Sequence, residues 1–263
     1  MIRIGSVPYL NSKVLVQGLQ AHTDAYSFES HVPSVLVQKL RDEEVDVALV
    51  SSIEYFRMPG SSIVPNIAIA SHQEMWSIQL FYKGELRAAR RLGLDPSSQT
   101  TNALLQIILQ EKMGLGVELV PLNFGEDPLG RTDLDGFLKI GDPCLTFKPP
   151  PEYASLDLAA EWHSFTNLPF VFAVWVVRPG FDLSGINMNL FLAKREGLRS
   201  IDAIAREAAP KLGLEFQRVK TYISKIVNYD LGREELGGLS LFRRYLARQH
   251  LAPDGSDFDF YTK

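Results

Sequence analysis

The chain has 263 residues, 46% of them apolar and 22% charged. That excludes a disordered or low-complexity chain and allows one large domain or two lobes of roughly 100–150 residues. Lys and Arg number 27 against 31 Asp and Glu, a net charge of −4, so no overall field gathers nucleic acid or an anionic membrane surface and any bound anion must be held by local donors.

One cysteine, Cys144, excludes an internal disulfide framework and a multi-cysteine metal site. Residues Met1 to Pro8 show no basic region followed by an apolar run, and no stretch approaches the ~18–20 apolar residues that span a bilayer. A soluble, cytoplasmic protein is expected, with a small molecule as its partner; composition says nothing of its oligomeric state.

In chain order, Ile2 to Gly5 alternates like a strand and Pro8 to Asn11 turns into a short helix carrying Val14, Leu15, Gly18 and Leu19. Pro33-Ser34 opens a second helix with Leu36 and Leu40 on one side. Val45 to Val50 is a buried strand ending at Ser51-Ser52, and Ile63 to Ala70 and Ser77 to Tyr82 are further strands. A second unit begins near Arg87, with Leu92 to Asp95 as a short strand. Its helix carries Leu104, Leu105, Ile107, Ile108 and Leu109, and strands follow at Val117 to Pro121 and Gly136 to Asp142. Phe170 to Val177 is the longest β-rich run. Beyond Arg178-Pro179-Gly180 the chain is helical, with apolar stripes at Leu198, Ile201, Ala205 and Ala208, then Val219, Tyr222, Ile223 and Ile226, then Leu236, Leu239, Phe242 and Leu246.

Alternating strands and helices predict an α/β protein of two lobes, each a mixed, mostly parallel sheet flanked by helices, with a ligand cleft between them. The expected division is 1–86 with 179–263 as a discontinuous first lobe and 87–178 as an inserted second lobe. The chain then crosses near 83–90 and 172–180, and the C-terminal helices return to cover the first sheet.

The polar turns after strands carry the chemical information. Tyr9-Leu10-Asn11-Ser12, Ser51-Ser52 and Ser97-Ser98-Gln99-Thr100-Thr101 each follow a strand, and the first and third precede helices. Free N–H groups at a helix start, together with hydroxyl donors, suit a carboxylate or phosphate. Any one of these turns is an ordinary N-cap; three from two lobes indicate a small-anion cleft. Asn11, both donor and acceptor, can orient a hydroxyl or carboxylate without adding charge, or serve as a cap. Asp142 ends an apolar strand and either meets the ligand or caps its turn.

The five histidines, His22, His31, His72, His163 and His250, have no metal-ligand spacing, and His72 is the one to test as an acid or base. Cys144 reads as a buried thiol rather than a nucleophile. Gly114-Leu115-Gly116 is a helix stop and not a dinucleotide fingerprint, no Walker motif or nucleophile elbow occurs, and Asp254 to Asp259 is a solvated tail. No metal or cofactor is expected.

The motifs together resemble the chorismate dehydratase family of the futalosine route to menaquinone, whose members are similar in fold to type II periplasmic binding proteins. The resemblance covers nearly the whole chain. It rests on Gly5 to Ser12, Val45 to Phe56, Ser77 to Phe81, Ile140-Gly141-Asp142, Glu161-Trp162, Leu168 to Trp175 and Tyr229 to Gly232. Two segments depart. His72 to Trp76 stands where relatives usually carry a Gly-Pro-type turn, and Ser98-Gln99-Thr100-Thr101 lacks an arginine that relatives often have.

The resemblance implies cofactor-free dehydration of chorismate to 3-[(1-carboxyvinyl)oxy]benzoate. It implies Asn11 and Ser77 as catalytic residues, Asn11 orienting the hydroxyl and Ser77 hydrogen-bonding substrate. Tyr9, Ser51, Ser52, Ser98, Thr100, Thr101 and Asp142 are the implied substrate-binding set. Two alternatives stay open: the sister enzyme that makes 1,4-dihydroxy-6-naphthoate, and a non-catalytic cytoplasmic binding protein for an aromatic carboxylate.

Overall fold

Val47–Ser51 (β3) and Phe170–Val177 (β10) are apolar on both faces, and in the computed structural model both lie inside a sheet covered on its two sides. The structure describes residues 1–19, 26–183, 187–255 and 258–261. His22 and Ser256-Asp257 of the expected tail lie outside the described residues.

The first sheet also contains Ile2–Ser6 (β1), Tyr26–Ser30 (β2) and Ser62–Ser71 (β4), in the order β2-β1-β3-β10-β4. The second is built from Ile78–Lys83 (β5), Arg91–Leu94 (β6), Glu118–Pro121 (β7), Gly136–Ile140 (β8) and Tyr153–Asp157 (β9), in the order β7-β6-β8-β5-β9. The two repeat one scheme. In each sheet three strands pair in parallel, and the remaining ladders, β3-β10-β4 and β8-β5-β9, are antiparallel. Both sheets are therefore mixed, with parallel pairing in half of their ladders.

Strand pairing corrects the expected crossing points. β5, read as part of the first lobe, pairs with β8 and β9, whereas β10, read as part of the second, pairs with β3 and β4. The chain thus crosses between β4 and β5 and again just before β10. An apolar alternating run announces a strand but not its neighbours, so the ends of such runs do not mark where the chain changes sheet.

Helices cover the sheets. Leu10–Val16 (α1), Pro33–Arg41 (α2) and Ser52–Phe56 (α3) follow strands of the first lobe; Gln99–Ile107 (α4), Gly141–Thr146 (α5) and Leu158–Thr166 (α6) belong to the second. Ser98 caps α4 by accepting the Thr101 N–H at 3.2 Å, and Asp157 caps α6 through the N–H groups of Ala159 and Ala160. Asn187–Arg199 (α7), Ile201–Leu212 (α8), Phe216–Thr221 (α9) and Arg233–Arg248 (α10) return to the first lobe as expected, α7 against α1 and β4, and α10 against β10 and α3. Trp162 and Trp175 are fully buried in the resulting core.

Asp46, which precedes β3 and is 2% exposed, ties the two ends of the first lobe together. Its carboxylate accepts from the Arg3 backbone N–H and guanidinium at 2.7–3.0 Å and from Arg178 at 3.0 Å. Burial opposes ionisation, but the Arg3 and Arg178 hydrogen bonds outweigh it and hold the carboxyl below its usual range. A depressed folded-state pKa contributes stability above the unfolded value of about 3.9 and loses it as pH falls through the folded one. Asp46→Asn is therefore expected to destabilise the fold at pH 7, with the gap closing as pH falls through the depressed folded-state pKa. Urea melts at several pH values check this, and a gap that persists in acid contradicts it.

Candidate active site

The carboxyl ends of β3 and β8 run straight into α3 and α5, and that of β1 leads through Val7-Pro8-Tyr9 into α1, so the turns there face the space between the sheets. A narrow cavity with about 70 Å³ of free volume lies between them, lined from both lobes. The first lobe contributes Val7, Tyr9, Asn11, Leu49, Val50, Ser51, Ile69 and Phe172. Opposite them are Ser77, Ile78, Ile140 and Gly141, with Ser97, Ser98 and Thr101 from the start of α4. Apolar walls with a few convergent hydroxyl and amide groups are the composition of a small-molecule site.

Tyr9, Asn11, Ser51, Ser77, Ser98 and Thr101, all expected as site residues, are brought together on this cavity. Ser52, Thr100 and Asp142 are not. Ser52 Oγ donates to the Val171 carbonyl at 2.8 Å, and Thr100 Oγ1 accepts the Ile53 N–H at 3.0 Å, so both hydroxyls brace α3 against α4 and β10. The Asp142 carboxylate accepts the Leu10 N–H at 3.0 and 3.1 Å, capping α1 from the opposite lobe. The expectation was a ligand contact or a cap of its own turn; the carboxylate instead caps a helix of the other lobe. Burial raises the Asp142 pKa, with the Leu10 hydrogen bond opposing the shift.

These contacts, with Ser51 Oγ 3.4 Å from Ser98 Oγ, close the two lobes on each other. Gly141 makes the approach possible. Its φ is +67°, and a Cβ there would stand 3.1 Å from the Tyr9 ring. Burial raises the Tyr9 pKa and keeps the phenol protonated at neutral pH, while a hydrogen bond to the Ser97 side chain opposes the shift.

The deepest polar group is a cluster of three side chains. Tyr222 donates its hydroxyl hydrogen to Ser77 Oγ at 2.8 Å, and Asn11 lies beside the pair. Asn11 Oδ1 is buried and has no hydrogen-bond partner, although Asn11 lines the cavity. A buried amide oxygen without a partner is a costly state that a ligand donor relieves.

Sequence reading missed Tyr222, Ser97 and the apolar wall of Ile69, Ile78 and Phe172. Ser97 adjoins Ser98 in the same turn and could have been included. Tyr222 carried no signal, because it sits on the apolar stripe of its helix.

His72 lies away from the cavity, half exposed, with Nε2 2.9 Å from Glu235 Oε1. Cys144 is buried, its thiol pushed up to about 12 by desolvation and directed at the Trp76 carbonyl, so it is no nucleophile. Among the described residues no group of three or more His, Cys, Asp and Glu side chains is arranged to hold a metal, and no helix is long and apolar enough to cross a membrane.

Set beside known proteins, residues 2–248 match the family described as menaquinone biosynthesis. The chain is 30% identical over 82% of its length to a chorismate dehydratase of Thermus thermophilus, covering 84% of that protein. It is 31% identical to a chorismate dehydratase of Campylobacter jejuni over 93% of each chain. Among solved structures it is similar to the periplasmic aliphatic sulphonate binding protein of Escherichia coli, with a TM-score of 0.65, 13% identity, and 97% and 94% of the two chains covered. That likeness shows the fold alone, and it bears out the expected periplasmic-binding-protein-like architecture. With nearly the whole chain matched by the family and by two relatives at 30% identity or above, the chain belongs to the menaquinone biosynthesis family.

Proposed function

We propose that this protein is a chorismate dehydratase, eliminating water from chorismate to give 3-[(1-carboxyvinyl)oxy]benzoate. The observation that carries this is the unpartnered Asn11 Oδ1 beside Ser77, in a cavity whose only titratable lining group among the described residues is the protonated Tyr9. The names of the two relatives support it.

The reaction needs no electron acceptor. The C–H bond at the ring carbon bearing the ether oxygen breaks, its electron pair forms the last ring double bond, and the neighbouring C–OH bond breaks. Proton and hydroxide leave together as water, and aromatisation supplies the driving force. The protein must hold a dianion in the reactive conformer, exclude water and stabilise the departing oxygen.

Asn11 and Ser77 flank the departing hydroxyl. Ser51, Ser98 and Thr101 offer neutral donors to the carboxylates, and the positive end of the α4 dipole favours negative charge there. Among the described residues, no carboxylate, histidine or lysine lines the cavity. The substrate's own enolpyruvyl carboxylate, tethered next to the acidic C–H, therefore takes the proton.

Incubating purified protein with chorismate and following ultraviolet absorbance, with mass identification of the product, tests this directly. The expected result is catalytic formation of the substituted benzoate. Tight binding without turnover overturns the reading in favour of a binding protein, and formation of 1,4-dihydroxy-6-naphthoate from a different precursor favours the sister enzyme.

A further inference from the structure

The substrate proposed above carries two negative charges, yet among the described residues the wall of the cavity holds no cation. Cations stand next door. Pro33, Ser51 and Ser97 line both the cavity and a neighbouring groove, and the groove also holds Arg41, Glu54 and Arg57. No other charged residue lines the groove among the described residues.

Glu54, on α3, fixes the two guanidinium groups. It is 5% exposed, and its carboxylate accepts from Arg41 Nη2 at 2.7 Å and from Arg57 Nη1 at 3.3 Å. Arg57 Nε donates in addition to the Leu251 carbonyl at 3.0 Å. A guanidinium has five N–H donors, so each arginine keeps some without a protein partner among the described residues. Arginine stays protonated at any working pH, and two guanidinium groups against one carboxylate leave the groove positive.

The free volumes set an order of events. An apolar cavity of about 150 Å³ holds one benzene ring. The cavity between the sheets, at about 70 Å³, therefore admits a substituted ring only as the lobes part, whereas the groove, at about 270 Å³, has the room already.

We infer that the groove of Arg41, Glu54 and Arg57 is an anion-docking vestibule, where a carboxylate of the organic dianion is caught before the ring passes Ser51 and Ser97 into the cavity. This rests on the dehydratase reading and deepens it by naming the cations the substrate meets. A chain of net charge −4 does not attract a dianion as a whole, so a local positive field at the mouth is what gathers it. At equilibrium the ring lies in the cavity. Groove and cavity share a wall, so the same field still favours the bound dianion and acts on KM rather than on the departing hydroxyl.

Arg41 provides the test, because it is half exposed and its removal leaves Glu54 paired with Arg57. Arg41→Gln is expected to raise KM for chorismate about fivefold at low salt with kcat within about twofold, and Arg41→Lys to stay within about twofold of wild type in both. The KM gap between Arg41→Gln and wild type must shrink as sodium chloride rises to about 0.5 M. An unchanged KM in Arg41→Gln, a gap indifferent to salt, or a lysine variant as weak as the glutamine one overturns the vestibule. Calorimetric titration with inorganic phosphate gives a readout that needs no turnover. Wild type is expected to bind it at least about fivefold tighter than Arg41→Gln, and equal binding or none overturns the site. Wild type that binds phosphate in this way but leaves chorismate unchanged removes the dehydratase reading and keeps the anion site. Turnover by wild type with an unaffected Arg41→Gln removes the vestibule alone.

Discussion

Asn11→Ala is expected to lower kcat for chorismate by about 10²–10³-fold while leaving the fold intact. The side chain lines the cavity and carries a buried amide oxygen without a hydrogen-bond partner. Truncation removes the polar group proposed to hold the substrate hydroxyl. The loss should appear in kcat more than in KM, because the carboxylate donors Ser51, Ser98 and Thr101 remain. Steady-state kinetics with a thermal melt for each protein measure this. Near-full activity in the variant removes Asn11 from the mechanism.

Gly141→Ala is the second large effect, and it acts through the backbone. At φ +67° an alanine is strained by about 1 kcal/mol or more. Its methyl would sit 3.1 Å from the Tyr9 ring, so the ring must move or the lobes must part. Either change disturbs the Asp142 clasp on Leu10 next door. The Tyr9 ring must give by a few tenths of an ångström beside the site, and kcat/KM should fall by about tenfold. Gly116→Ala is the control: no neighbouring atom lies within 4 Å of where its methyl would stand, and its activity should be unchanged. Equal activity of the two variants contradicts the role given to the Gly141 approach.

Much of this architecture was legible because strands that end in small polar residues announce where a cleft lies. Ser51 and Ser98 were found in that way, Tyr9, Asn11 and Thr101 came with the same turns, and Ser77, at the start of a strand, came from the family resemblance alone. What sequence could not show is how a hydroxyl is spent. Ser52 and Thr100 look identical in type to Ser51 and Thr101, but their oxygens are committed to Val171 and Ile53 across the lobe boundary. Asp142 reads as a ligand contact until the Leu10 N–H is seen to occupy it.

Pairing partners were equally hidden. β5 and β10 have the composition of any central strand, so their exchange between sheets shifted both crossing points. The edge strands β2 and β9 went unread, because Tyr26-Ser27-Phe28-Glu29-Ser30 and Tyr153-Ala154-Ser155-Leu156-Asp157 are short and half polar. Tyr222 was counted in an apolar stripe, and only the π-helical turn Tyr222–Ile226 and its buried hydroxyl set it apart.

The most direct measurement is a crystal structure of the Asn11→Ala protein, slowed in turnover, soaked with chorismate. The expected density places the ring between Tyr9 and Ser77, with a carboxylate at Ser51, Ser98 and Thr101 and the ring hydroxyl against Ser77. Chorismate lodged instead in the neighbouring groove lined by Arg41 and Arg57, with the cavity between the sheets empty, contradicts the assignment of the active site.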